Sequence, residues 1–136
     1  MTIAKPALGF MVSLPTDFAL ALVQVTDALK AEGFGVLTEI DVQATLKKRL
    51  DVDFRPYKIL GACNPTLAHR ALSVAPEVGL LLPCNVTVAQ GENGVVEVSL
   101  VDPLMMLGAA ADPALDAIAQ EAHERLARVA AALRHN

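Results

Sequence analysis

Residues 80–101, LLLPCNVTVAQGENGVVEVSLV, carry the pattern on which the fold turns. Leu80, Leu82, Cys84, Val86 and Val88 alternate with Leu81, Pro83, Asn85, Thr87 and Ala89. Successive side chains of a strand point to opposite faces, so this period of two predicts a half-buried strand. Gly91-Glu92-Asn93-Gly94 supplies a turn, after which Val96, Val98 and Leu100 alternate with Glu97 and Ser99. The stretch is therefore expected to form a β-hairpin that turns one face to a core, closed by Asp102-Pro103.

Upstream, Ala7 to Leu14 is short, apolar and bounded by prolines, as a first strand should be. Thr16 is placed to cap a following helix, with Asp17 at its positive end. Phe18, Leu22, Val25 and Leu29 then recur at helical spacing, and Gly33 ends the helix. Phe34 to Ile40 reads as a second strand, Val42 to Leu50 as a short helix with its lysines outward, and Tyr57 to Ala62 as a third strand. Asn64 is a good N-cap, with Pro65 at the first helical position. Leu67, Ala71 and Val74 are expected on the buried side of that helix, which Pro76 stops. A last helix starts near Asp112, with Leu115, Ile118, Ala122, Leu126, Val129 and Leu133 as its apolar stripe. Strand, helix, several strands and a closing helix predict an α+β fold with an antiparallel sheet covered by helices.

The 136 residues suit one domain, 1–136, large enough to bury a core without a metal or a disulfide. Apolar residues make up 54% of the chain against 19% charged, and aromatics only 4%, so the core is aliphatic. That apolar surplus points to a subunit interface as well as a core. Eleven basic residues against fifteen acidic ones leave a formal charge of −4, which argues against nucleic-acid binding by phosphate neutralisation. Lys47-Lys48-Arg49 reads as a solvated helix face. No run reaches the roughly 18 to 20 apolar residues that span a bilayer, and no cleavage site follows the first apolar segment, so a soluble, cytoplasmic protein without membrane contact is expected.

Several motifs together resemble a known family. They are Phe34-Gly35-Val36-Leu37-Thr38-Glu39-Ile40, Asp53-Phe54-Arg55-Pro56-Tyr57, Gly61-Ala62-Cys63-Asn64-Pro65, Ala68-His69-Arg70-Ala71 and Leu81-Leu82-Pro83-Cys84-Asn85-Val86. Over nearly its whole length the chain resembles the bacterial domain-of-unknown-function 302 family. The resemblance implies a fold like that of the TATA-box-binding protein: a curved antiparallel sheet with helices on one face, in a β-α-β(4)-α core with extra short helices, often paired into homodimers. It implies neither DNA binding nor any settled activity.

The candidate chemistry lies in two Cys-Asn pairs. Cys63 precedes the Asn64 cap, where the positive end of a helix can lower a thiol's pKa; it also reads as a small apolar residue at a strand end. Cys84 shares a face with Leu80, Leu82, Val86 and Val88, which points it into the core, where a thiol is usually inert. Neighbouring strands could bring the two sulfurs together. His69 lies six residues after Cys63, so Cys63, His69 and Cys84 could ligate a soft metal, or cysteine and histidine could act as nucleophile and base. Against this, a lone helical histidine is more often a surface or hydrogen-bonded residue. Asn64 and Asn85 also have structural readings, as a cap and as an outward strand residue. Asp102 reads as a turn former, and His123 and His135 are assigned no role.

There is no glycine-rich phosphate loop, no GxSxG, no HExxH and no paired zinc-ligand cluster, so no cofactor is specified. Three functions fit. A homodimeric module that binds a small ligand or metal ranks first, since the thiols are the only catalytic equipment. A thiol-based redox or soft-metal-handling protein and an interaction module without ligand are the alternatives.

Overall fold

The computed structural model describes residues 8–135. In chain order they form β1 (Gly9–Leu14), α1 (Phe18–Ala31), β2 (Gly35–Asp41), α2 (Val42–Leu50), β3 (Tyr57–Cys63), α3 (Pro65–Val74), β4 (Cys84–Gln90), β5 (Val96–Val101), α4 (Pro103–Gly108) and α5 (Asp116–Arg134). Two 3-10 turns, Pro76–Leu81 and Pro113–Leu115, precede β4 and α5. This is an α+β fold in which the β-α-β(4)-α order is interrupted only by the short helices α2, α3 and α4.

The five strands make one open antiparallel sheet in the order β1-β5-β4-β3-β2. The expected hairpin lies within it as β4 and β5, with Val86 opposite Leu100 and Val88 opposite Val98. On the other side of β5, Val12 faces Val98 and Leu14 faces Val96. These side chains share one face and are buried beneath α1 and α5 with Val25, Leu29, Leu126 and Val129. Met11, Ser13 and Asn85 occupy the opposite face and are exposed. Helices thus cover one side of the sheet. None of the described helices is long and apolar enough to cross a membrane.

A second apolar cluster lies beyond the end of β3. Leu67 and Ala71 of α3 and Val78 of the first 3-10 turn meet Leu107 of α4 and Leu115, Ile118, Ala119 and Ala122 at the start of α5. The stripe expected for the last helix is buried throughout. Its early residues belong to this second cluster, and Leu126, Val129 and Leu133 to the first.

Several expectations need correcting. The strand expected from Leu80 begins at Cys84, and Leu80 is 88% exposed on the 3-10 turn. Pro83, joined to Leu82 by a cis peptide bond, has no N–H for the ladder, so regular pairing starts after it. Asp17, not Thr16, caps α1 by accepting from the Leu20 N–H at 2.7 Å. Val74 is exposed at the last position of α3, where the chain turns away from the core. Asp102-Pro103 does more than close the hairpin, because it opens α4 with the same cap-then-proline pattern as Asn64-Pro65. Ala7 lies outside the described residues.

The end of α1 shows why Gly33 is needed. The Gly33 N–H donates to the Lys30 carbonyl and the Phe34 N–H to the Leu29 carbonyl, while Phe34 packs into the core with Leu29. This is the Schellman arrangement, which needs the left-handed conformation that Gly33 adopts at φ 85°. A Cβ there would also lie 2.9 Å from Asn64 Nδ2, whereas one at Gly35 would meet open space. Gly33→Ala should therefore destabilise the protein by about 1–2 kcal/mol. Gly35→Ala should change stability by less than about 0.5 kcal/mol. Urea unfolding of the two variants beside the parent checks the difference; equal effects would contradict this account of the turn.

Candidate functional site

The two apolar clusters do not fully close on one another, and the seam between them holds a cavity of about 320 Å³. The sheet side of it is made by Phe34, Ala62, Cys63 and Cys84. Leu67 and Ala71 of α3, Met106 and Leu107 of α4, and Ile118 and Ala122 of α5 form the helical walls. Among the described residues, Thr38 and Asn64 are the only lining ones with a polar side-chain oxygen or nitrogen, and none that lines it is charged.

The backbone brings the cysteines here. In the β3–β4 ladder Ala62 stands opposite Cys84, and Cys63 is the next residue along β3. Asn64 then turns the chain into α3: its Oδ1 accepts from the Leu67 N–H at 3.1 Å, and Pro65 occupies the first turn, as the sequence predicts. Across the sheet end, Gly61 leaves room for Thr38 and Pro83, since a Cβ on it would collide with the Thr38 hydroxyl and lie 2.8 Å from the Pro83 ring.

Both cysteines are free thiols, Cys84 buried and Cys63 partly so. The lowered pKa expected for Cys63 from the helix end is reversed, because loss of solvent pushes its thiol up. Burial, and to a lesser degree the neighbouring Cys63, pushes Cys84 up to about 11. Both thiols are thus held protonated near neutral pH, the poorly nucleophilic form.

The other sequence candidates separate. Asn64 lines the cavity. His69 lies exposed on α3 and does not line it; its carbonyl accepts from the Ser73 hydroxyl at 2.7 Å. Asn85 is on the opposite face of the sheet, in a separate pocket with Tyr57 and Thr87, so the two Cys-Asn pairs do not form one site. Among the described residues no group of three or more His, Cys, Asp or Glu side chains is placed to hold a metal ion.

Sequence reading missed the α4 and α5 walls and a polar pair behind them. His123 Nδ1 lies 2.8 Å from Asp102 Oδ1, and its ring centroid is 5.3 Å from that of Phe10. Asp102 also accepts from the Leu104 N–H at 3.0 Å, capping α4. The two residues are 21 positions apart on different elements, and only tertiary packing brings them together.

An open antiparallel sheet with helices on one face and an apolar cavity at its end defines a small α+β protein. The chain belongs to the family described as "Domain of unknown function DUF302", whose model matches residues 10–133. It is similar to a solved structure titled "Crystal structure of uncharacterized conserved protein DUF302 from Bacillus stearothermophilus". The two are 36% identical, with a TM-score of 0.84 over 93% of this chain and 98% of that one. No curated protein matches the chain.

The raised Cys84 pKa sets a sign for stability at alkaline pH. Below about pH 9 the thiol is protonated in both folded and unfolded chains, and the folded state keeps its full advantage. Between pH 9 and about 11 only the unfolded chain ionises, so stability should fall by about 2–3 kcal/mol. Denaturant unfolding at pH 8 and pH 11 should show this loss in the parent and a smaller one in Cys84→Ala. An equal loss in both would mean that the thiol is not protected by burial.

Proposed function

We propose that the protein is a binding module that holds a small apolar molecule in the cavity between the end of the sheet and α3, α4 and α5. The observation that carries this reading is the lining: about 320 Å³ of space bordered by aliphatic side chains and protonated thiols, with two polar neighbours. Protein interiors rarely leave room for more than a water molecule, whereas ligand pockets start at about 300 Å³ and are mainly apolar with a few polar groups. Of the two polar neighbours, Asn64 already spends its side-chain oxygen on the α3 cap, leaving its amide nitrogen and the Thr38 hydroxyl to orient a ligand. The thiol-redox alternative gains no support from the raised pKa values.

Ala68 borders the cavity from α3 and is half-buried, so a larger side chain there can fill the space with little disturbance of the core. The neutral naphthylamine dye N-phenyl-1-naphthylamine is a suitable probe. The parent should bind one dye per chain, with fluorescence enhancement, and Ala68→Phe should weaken binding about tenfold or more, roughly 1.4 kcal/mol. Binding unaffected by Ala68→Phe would place the dye elsewhere and defeat the proposal. Native mass spectrometry of untagged protein would then identify any co-purifying ligand.

The reading includes a homodimer, with a second copy of the chain at the β2 edge. The apolar surplus supports it, and so does the contrast between the sheet edges. Arg134 of α5 reaches over β1 to donate to the Met11 carbonyl at 3.3 Å. By contrast, β2 presents Leu37 at 69% and Ile40 at 49% exposure, with exposed Leu50, Val52 and Phe54 following it in the chain. An apolar edge strand invites pairing with another chain, and a two-fold pair satisfies both edges at once. Ile40→Lys should shift sedimentation from dimer to monomer while leaving the circular dichroism spectrum unchanged. A parent that sediments as a monomer at all concentrations would exclude the dimer.

A further inference from the structure

The cavity has a chemical peculiarity that an apolar ligand alone does not use. Its lining includes three sulfur side chains from three elements, Cys63 of β3, Cys84 of β4 and Met106 of α4. We propose that Cys63, Cys84 and Met106 form a site for one soft monovalent cation of the copper(I) and silver(I) class. This goes beyond the apolar-ligand reading: it uses the same space but does not depend on any apolar molecule binding there.

The donors favour that class of ion. Hard divalent ions need carboxylate or carbonyl oxygens, and no Asp or Glu lines the cavity. A closed zinc site takes four ligands of the cysteine and histidine type; here there are two cysteines, and His69 stays outside. Thiolate and thioether sulfurs select copper(I), which imidazole and oxygen sites do not discriminate so well.

Placement agrees with chemistry. Cys63 follows Ala62, the partner of Cys84 in the β3–β4 ladder, and both cysteines border the same space at the end of the sheet. Met106 comes from the wall opposite the sheet on a flexible, unbranched side chain, partly exposed and able to adjust. Cys63 is also partly exposed.

Binding balances without any redox step. One thiol gives its proton to solvent as its sulfur bonds the cation, and the thiolate and cation charges cancel. The second cysteine sulfur and the thioether donate lone pairs. The cavity then holds a neutral complex, which apolar walls tolerate far better than an unpaired ion.

The test uses the full chain, reduced and metal-free under anaerobic conditions, with copper(I) titrated against the chelator bicinchoninate. The parent should withdraw one copper(I) per chain. Cys63→Ser and Cys84→Ala should each weaken binding by about 100-fold and Met106→Leu by about tenfold, with His69→Ala unchanged. No withdrawal from the chelator, or undiminished binding by Cys84→Ala, would overturn the site. Should a cysteine variant fail to fold, alkylation of the parent by N-ethylmaleimide still decides. One equivalent of copper(I) should protect Cys63 from the reagent in the folded chain. Unchanged alkylation of Cys63 overturns the proposal. Dye binding that survives while copper binding is absent removes this proposal alone, and the converse removes the apolar-ligand reading alone.

Discussion

The rest of the structure depends on α5, a single 19-residue helix that serves two cores. At 1.5 Å per residue it runs for about 28 Å, long enough to pass from the second cluster to the sheet without a break. Ile118, Ala119 and Ala122 pack with α3 and α4, and Leu126, Val129, Ala130 and Leu133 pack on the sheet with α1. One rigid rod thereby sets the distance between two groups of side chains that would otherwise collapse together. The cavity lies where that distance exceeds what Leu67, Ala71 and Met106 can fill. Arg125, midway along the rod, donates to the Glu32 carbonyl at 3.1 Å and to Glu121 at 3.2 Å, tying it to the end of α1.

The register of the hairpin decides what chemistry reaches the cavity. With Val86 opposite Leu100, the inward positions of β4 are Cys84, Val86 and Val88, and Asn85 points the other way. A slip of one residue would place Asn85 in an apolar space and the thiol in solvent. The valine and leucine pairs buried along β4 and β5 oppose that slip, since every one of them would be exposed by it. The thiol's position is therefore a by-product of core packing several residues away, and so are its burial and its resistance to ionisation.

Most of this was legible in the sequence where a single element carried the signal. The period-two run in β4 and β5, the stripe of α5, Gly33 and the Asn64-Pro65 start of α3 each satisfy a local rule, and each appears where that rule puts it. The errors fall where a local rule was extended past a proline or where tertiary contacts decide. Leu80 and Leu82 continue the strand period by accident, because Pro76, Gly79 and Pro83 favour a 3-10 turn over a ladder. Alternation alone turned Cys84 to the core, and adjacent strands suggested that Cys63 could lie near it, but that both border one cavity needed the tertiary fold. Met106 could not be assigned to a site at all, since α4 is a six-residue helix with no periodicity to read, while Ile118 and Ala122 read only as part of the α5 stripe.

The Asp102–His123 pair looks at first like part of a catalytic relay, and its surroundings argue otherwise. Neither residue lines the cavity, and Asp102 is bound in several directions at once. Its carboxylate holds the Leu104 N–H and His123, while its backbone N–H donates to the Leu8 carbonyl at 2.9 Å. These contacts join the chain just before β1, the end of β5, the start of α4 and the middle of α5. The pair thus fixes α4 against α5, and with it the wall that carries Met106 and Leu107. A general base must reach the proton it removes, directly or through one water. Here Asp102 and His123 brace the cavity from behind and do not face into it.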